Sequence, residues 1–246
     1  MTISLRNSRR SKSLPIFLSS ILLSLFATNL SIAKDVSKTK AAVPALTQSL
    51  LVRFESKVGA EKTLEDLLKN SEAEIFKEQE TKQWFAFKMD GNHFGVFHSF
   101  ATDADRKAHL DRSEAMKLLK AKDAFAKAPT MEEAEILAAK TSKVGTKTTI
   151  KKALIVVLEA NSGKEAEVEN FLKSALPLVN KEPKTLYWYA IKLSANTYAI
   201  VDTFADDTGR ETHLKGKVAE ALKNKTSELF QKAPVIEKVD VIAFKS

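Results

Sequence analysis

Four histidines are the only side chains here whose ordinary pKa lies near neutrality, and two of them recur in one setting. His109 closes the run WFAFKMDGNHFGVFHSFATDADRKAHL at 84–110, and His213 closes WYAIKLSANTYAIVDTFADDTGRETHL at 188–214. An imidazole at such a place can take or give a proton at working pH. The bland alternative is a histidine tied to backbone or to a neighbouring carboxylate. Asp206, Arg210 and His213 stand at i, i+4 and i+7, on one helical face, which makes Arg210 a candidate partner of a ligand. Trp84, Phe85, Phe100, Trp188, Tyr189, Tyr198 and Phe204 could line an apolar pocket for a planar molecule. Aromatic side chains of this size equally serve as core.

Other chemistry is excluded or weakly supported. The chain has no cysteine, hence no disulfide, thiolate ligand or thiol nucleophile. His93 and His98 are five apart on one strand and face opposite sides, so no metal site is expected. No serine triad, P-loop or Rossmann fingerprint is present. The net charge of +8 falls to +4 once Arg6, Arg9, Arg10 and Lys12 of the leader are set aside. The remaining lysines are mixed with acidic residues along helical stretches, and no basic block is interleaved with aromatics, so a nucleic-acid partner is not expected.

The elements that position these residues occur twice. Trp84/Trp188, Ala86/Ala190, Lys88/Lys192, Phe100/Phe204, Asp103/Asp207, Arg106/Arg210 and His109/His213 all match at an offset of 104 without a gap. In the first copy a strand from about residue 49 is followed by a break at Val58-Gly59. A helix over 60–76 follows, with Leu64, Leu67, Leu68 and Ile75 at helical spacing. Strands at 83–89 and 94–100 flank Asp90-Gly91, a type I′ hairpin signal. Thr102 or Asp103 caps a second helix running to about 127, stopped by Ala128-Pro129, before a weak strand at 133–139. The second copy reads as strand 153–159, helix 164–179, strands 186–193 and 197–204, helix 206–232 and strand 237–244.

Each copy is thus β-α-β-β-α-β, the ferredoxin-like plan, giving an α+β fold. Such a unit leaves one sheet face uncovered. Residues 186–193 are apolar on both faces, with Tyr187, Tyr189 and Ile191 opposite Trp188 and Ala190, as in a strand buried on both sides. The two copies are therefore expected to pack as a pseudo-dimer, eight strands around a shared interior and helices outside. The boundaries follow: 47–140 and 150–246 for the copies, 141–149 for the linker, 34–46 for a polar, lysine-rich flexible tether, and 1–33 for a leader.

The leader has a basic start, an apolar run at 14–30 and the small residues Ser31 and Ala33, the pattern of a secretory signal cleaved after Ala33. The apolar run contains Pro15 and Asn29 and is at the short end for a spanning helix, so an uncleaved anchor is the lesser reading. A periplasmic or secreted bacterial protein without a stable membrane anchor is expected. Further homo-oligomerisation stays open.

The run VVLEANSGKEAEVENFLKSALPLVNKEP, then LYWYAIKL, then DTFADDTGRETHL, resembles the antibiotic biosynthesis monooxygenase domain of the dimeric α+β-barrel superfamily. The first copy resembles it more loosely. The resemblance implies that His213, and secondly His109, could accept a proton from a small phenol or quinol in a monooxygenase working without a cofactor. It leaves open a non-catalytic barrel that binds a small apolar or aromatic ligand. Relatives that degrade haem place an aromatic shortly before the helix histidine and an asparagine on the first strand. Here Phe100 and Phe204 precede the histidines, no Trp does, and the first strands offer Arg53 and Val157, which counts against haem breakdown.

Overall fold

A computed structural model describes residues 45–112, 121–142 and 149–246. The leader, nearly all of the tether and most of the linker lie outside the described residues. Eight strands are present: β1 Gln48–Glu55, β2 Thr81–Lys88, β3 His93–Phe100, β4 Thr130–Thr141, β5 Lys152–Glu159, β6 Thr185–Lys192, β7 Thr197–Phe204 and β8 Val235–Lys245. Five α-helices are described: α1 Glu61–Lys77, α2 Asp103–Leu110, α3 Glu165–Val179, α4 Asp207–Leu214 and α5 Lys217–Leu229.

The strands close a barrel in the order β1-β3-β2-β8-β5-β7-β6-β4. Each half contributes a four-stranded antiparallel sheet, and the halves are joined at both edges by main-chain pairing, β2 to β8 and β4 to β6. The last strand of each half therefore completes the sheet of the other, and no edge is left open. This is the α+β pseudo-dimer that the repeated pattern predicts.

Strand periodicity sorts the side chains into three layers. Leu51, Phe85, Phe87, Phe97, Ile155, Tyr187, Tyr189, Ile191 and Val201 fill the barrel interior. Phe97 and Tyr189 have ring centroids 4.7 Å apart, and Phe85 and Tyr187 5.3 Å. Trp188, Tyr198 and Phe204 pack outward under α3 and α5, with Val168, Leu172 and Leu222. Trp84, Phe94 and Phe100 do the same under α1, against Leu64, Leu68 and Ile75. The helix breaks fall where expected, at Gly59 and Gly163, whose φ angles of 84° and 80° suit glycine alone.

Three local expectations are corrected. The helix predicted over 206–232 is two helices separated by Lys215-Gly216, because the Gly216 amide turns back to the His213 carbonyl at 2.8 Å. In the first half α2 ends at Leu110, and residues 113–120, also predicted helical, lie outside the described residues; 122–124 form a 3₁₀ turn. The Asp90-Gly91 hairpin is not a two-residue I′ turn. The Met89 amide donates to the His93 carbonyl at 2.9 Å, enclosing three residues, with Gly91 at a φ of 57°.

Candidate functional site

The capped second helices set both histidines. Thr102 caps α2 in a capping box with Asp105, and Asp206 caps α4 by accepting from the Gly209 amide at 2.9 Å. About two turns on, His109 and His213 drop onto the outer sheet face, beside Phe100 and Phe204 at 5.6 and 5.5 Å between ring centroids. Both histidines are buried in the helix–sheet layer, and neither faces the barrel interior.

Each imidazole meets a carboxylate from the turn after the first helix. His213 Nδ1 lies 2.6 Å from Glu182 Oε2, and His109 Nδ1 lies 2.8 Å from Glu78 Oε2. Thr185 and Thr81 hydroxyls donate to the same carboxylate oxygens, at 2.8 and 2.7 Å. Burial would raise both carboxyls, but hydrogen bonds from the histidines and threonines lower them below the usual range. Residues 77–81, KEQET, and 181–185, KEPKT, carry this unit at the same offset of 104 as the histidines. That recurrence was the sequence signal for Glu78, Thr81, Glu182 and Thr185, which motif reasoning missed.

The second side of each ring differs. His213 Nε2 is 3.1 Å from Oδ2 of Asp202, a carboxylate on β7 that is fully buried. The separation is that of an ion pair, but the alignment falls short of a hydrogen bond, and both Asp202 oxygens lack a hydrogen-bond partner. Burial raises the Asp202 carboxyl against the opposing pull of His213. Burial alone would lower His213, but the charge of Asp202, then the hydrogen bond and charge of Glu182, raise it to about 10. His213 is thus an imidazolium between two carboxylates. In the first half His98 replaces Asp202, 4.5 Å from the His109 ring between centroids. Burial, then the charge of His109, drives His98 well below the ordinary imidazole range, and its Nδ1 has no partner.

A cavity of about 470 Å³ opens between α5 and the second sheet. Leu154, Val156, Ile200, Val218, Leu222 and Ile236 make its apolar wall, and Asp202 and His213 are polar groups within it. Its size suits a small organic ligand. A second cavity, about 430 Å³, lies on the Glu182 side of the same imidazole, lined by Pro183, Gly209 and Gly216. Both glycines fit closely against their surroundings. A Cβ on Gly216 would come 2.9 Å from Glu182 Oε1, and one on Gly209 3.3 Å from the Lys184 carbonyl.

The expected site residues are therefore divided. His213 alone among them lines the larger cavity. His109 occupies the matching place in the first half. Trp84, Phe100, Trp188, Tyr198 and Phe204 are core between helices and sheets, while Phe85 and Tyr189 are inside the barrel, on the far side of the sheet from the histidines. Arg210 donates to the Val239 carbonyl at 3.3 Å and pairs with Asp207, tying α4 to β8 rather than facing the cavity. Among the described residues no group of three His, Asp or Glu side chains has metal-holding geometry.

No protein-family model matches the chain, and no curated protein matches it. Solved structures do. A presumed monooxygenase of Fusobacterium nucleatum superposes with a TM-score of 0.72 at 14% identity, over 83% of this chain and 96% of that one. One from Lactobacillus acidophilus gives 0.68 at 11% identity, over 82% and 97%. A protein of unknown function from Nitrosomonas europaea is 44% identical over 40% of this chain and 96% of its own length, with a TM-score of 0.40. The chain therefore shares the α+β-barrel fold of these structures, with both halves of the barrel in one polypeptide.

Proposed function

We propose that the second half holds an oxygenase site for a small electron-rich aromatic or quinol, in a protein exported to the periplasm. The observation that supports this reading is the Asp202–His213 pair set in a mainly apolar cavity of suitable size, with Lys223 and Thr226 its other polar lining residues. Buried, unpartnered carboxylate oxygens beside a fixed cation are costly for folding alone and are found where chemistry needs them. Asp202 is the proton acceptor for a phenolic hydroxyl or the carbon next to the ring, and the His213 imidazolium faces the anion that develops. This revises the simpler idea of His213 as base, since His213 already holds its proton.

An electron-rich anion can itself reduce O2, so no external reductant is required. A ring CH2 with O2 gives C=O and water, and a quinol with O2 gives quinone and hydrogen peroxide. The test is aerobic oxygen uptake by the purified mature chain over a panel of phenols and hydroquinones. Turnover that falls in both Asp202→Asn and His213→Ala supports the site; undiminished turnover in both removes it. A binding barrel is the second reading, favoured because both His213 nitrogens already face carboxylates. Saturable binding of an aromatic without oxygen uptake would establish it. A mature N-terminus at Lys34, read by mass spectrometry, tests export.

A further inference from the structure

The two histidine sites have a further element in common, and it comes from the opposite half. Lys140, near the end of β4, belongs to the first half but pairs with β6 of the second, opposite Trp188. Its ammonium donates to the Val179 carbonyl at 3.0 Å and to the Glu182 carbonyl at 2.6 Å. Lys245, near the end of β8, lies opposite Trp84 and donates to the Ile75 carbonyl at 3.0 Å and to the Glu78 carbonyl. Each lysine thus clamps the turn that leaves the first helix of the other half. In both turns the amide of the glutamate also bonds the helix-end carbonyl, Glu182 to Val179 at 2.9 Å and Glu78 to Ile75 at 3.1 Å.

A cation at a helix C-terminus meets carbonyls without intrahelical partners and the negative end of the dipole. Here it does more than cap, because the clamped residue is the glutamate whose carboxylate holds the histidine. We propose that Lys140 is a positioning residue for the Glu182–His213 pair, and Lys245 for Glu78–His109, so that each half's histidine site is completed by the other half. The groups facing His213 are Asp202 from β7, Glu182 and Thr185 from the turn and start of β6, with Arg210 on its own helix engaged by Asp207. Lys140 acts on Glu182, whose carboxyl it also helps to lower.

The inference does not depend on catalysis, and its test needs none. With only four histidines, ring resonances of the full chain can be assigned by single His→Gln changes and titrated by NMR. In Lys140→Met the His213 midpoint should fall by about one pKa unit or more, with His109 unmoved. Lys245→Met should perturb His109 and leave His213 in place. Lys140→Arg, which can donate to both carbonyls, should restore His213. A folded Lys140→Met protein with an unmoved His213 overturns the proposal, as does a pair of variants that shift both histidines alike. If Lys140→Met does not fold, Lys140→Gln, a neutral donor, is read in its place, and an unmoved His213 there overturns it equally.

Discussion

His109 and His213 occupy equivalent places, each with a glutamate and a threonine at Nδ1, yet the two halves set different charges around them. The KExxT turn supplies glutamate and threonine in both. On the Nε2 side one residue decides the outcome. Asp202 makes the second site a cation between two anions, whereas His98 makes the first a buried pair of mutually tilted imidazoles. On the glutamate side the contrast repeats. Arg112 pairs with Glu80 and stands 3.9 Å from the buried Glu78, while the matching residue of the second half is Gly216, which leaves Glu182 facing a cavity. A duplicated scaffold has thus kept its histidine and changed what the histidine can do. Under the proposed function the first half is support and the second the working half.

The largest expected effect comes from erasing the difference on the Nε2 side. Asp202→His writes the first half's residue into the second. Turnover on any substrate found should drop by about 10²- to 10⁴-fold, the range for losing a general base. The ring NMR signals should show His213 titrating below about 10. Retained turnover would mean that the contrast between halves is structural only.

The pH dependence of stability separates the halves next. His213 carries a folded-state pKa raised to about 10 from 6.5, so the folded chain binds that proton more tightly than the unfolded chain. Its contribution is complete below pH 6.5 and is lost as pH rises towards 10. Urea unfolding at pH 7 and about pH 9.5 should therefore differ by on the order of 2 kcal/mol in the wild type, discounting the shift for its coupling to two carboxylates. His213→Gln should flatten that difference. An undiminished difference in that variant would deny that the imidazolium between two carboxylates is its source.

Much of the architecture was legible in the residues. The offset of 104 and the two-faced apolar pattern of 186–193 led to a shared eight-stranded interior, because a strand greasy on both faces must be covered twice. The layer that holds the candidate site was less legible. Period two places Trp188 and Tyr189 on opposite faces but does not say which face is inside the barrel. An aromatic fits either, and Trp84, Trp188, Tyr198, Phe100 and Phe204 went to the helix side. Asp202 hid because its counterpart is a histidine, so the repeat showed a mismatch at the residue that sets the charge beside His213. Lys140 and Lys245 hid for another reason. They are 105 apart rather than 104, since the last strands pair one residue out of step, as Ala134 and Val239 do against Ser49 and Ala153. Partners supplied across a barrel seam leave no local pattern to read.

The smallest effect concerns the caps that aim the histidines. Thr102→Ala and Asp206→Ala should each cost about 1 kcal/mol, as loss of a side-chain N-cap does. Only the first half closes a full capping box, because Asp105 returns a bond to the Thr102 amide at 3.0 Å while its counterpart is Gly209. Asp105→Gly should therefore cost the first half up to about 1 kcal/mol. The reverse change, Gly209→Asp, should not gain that amount, although it supplies the missing carboxylate. A Cβ at 209 would meet the Lys184 carbonyl and Phe204 Cβ, both at 3.3 Å, so α4 must move off the turn that carries Glu182. Thermal unfolding should then show a loss, accompanied by a shifted His213 resonance. A stabilised Gly209→Asp variant with His213 undisturbed would show that the close approach of α4 to this turn is incidental to the site.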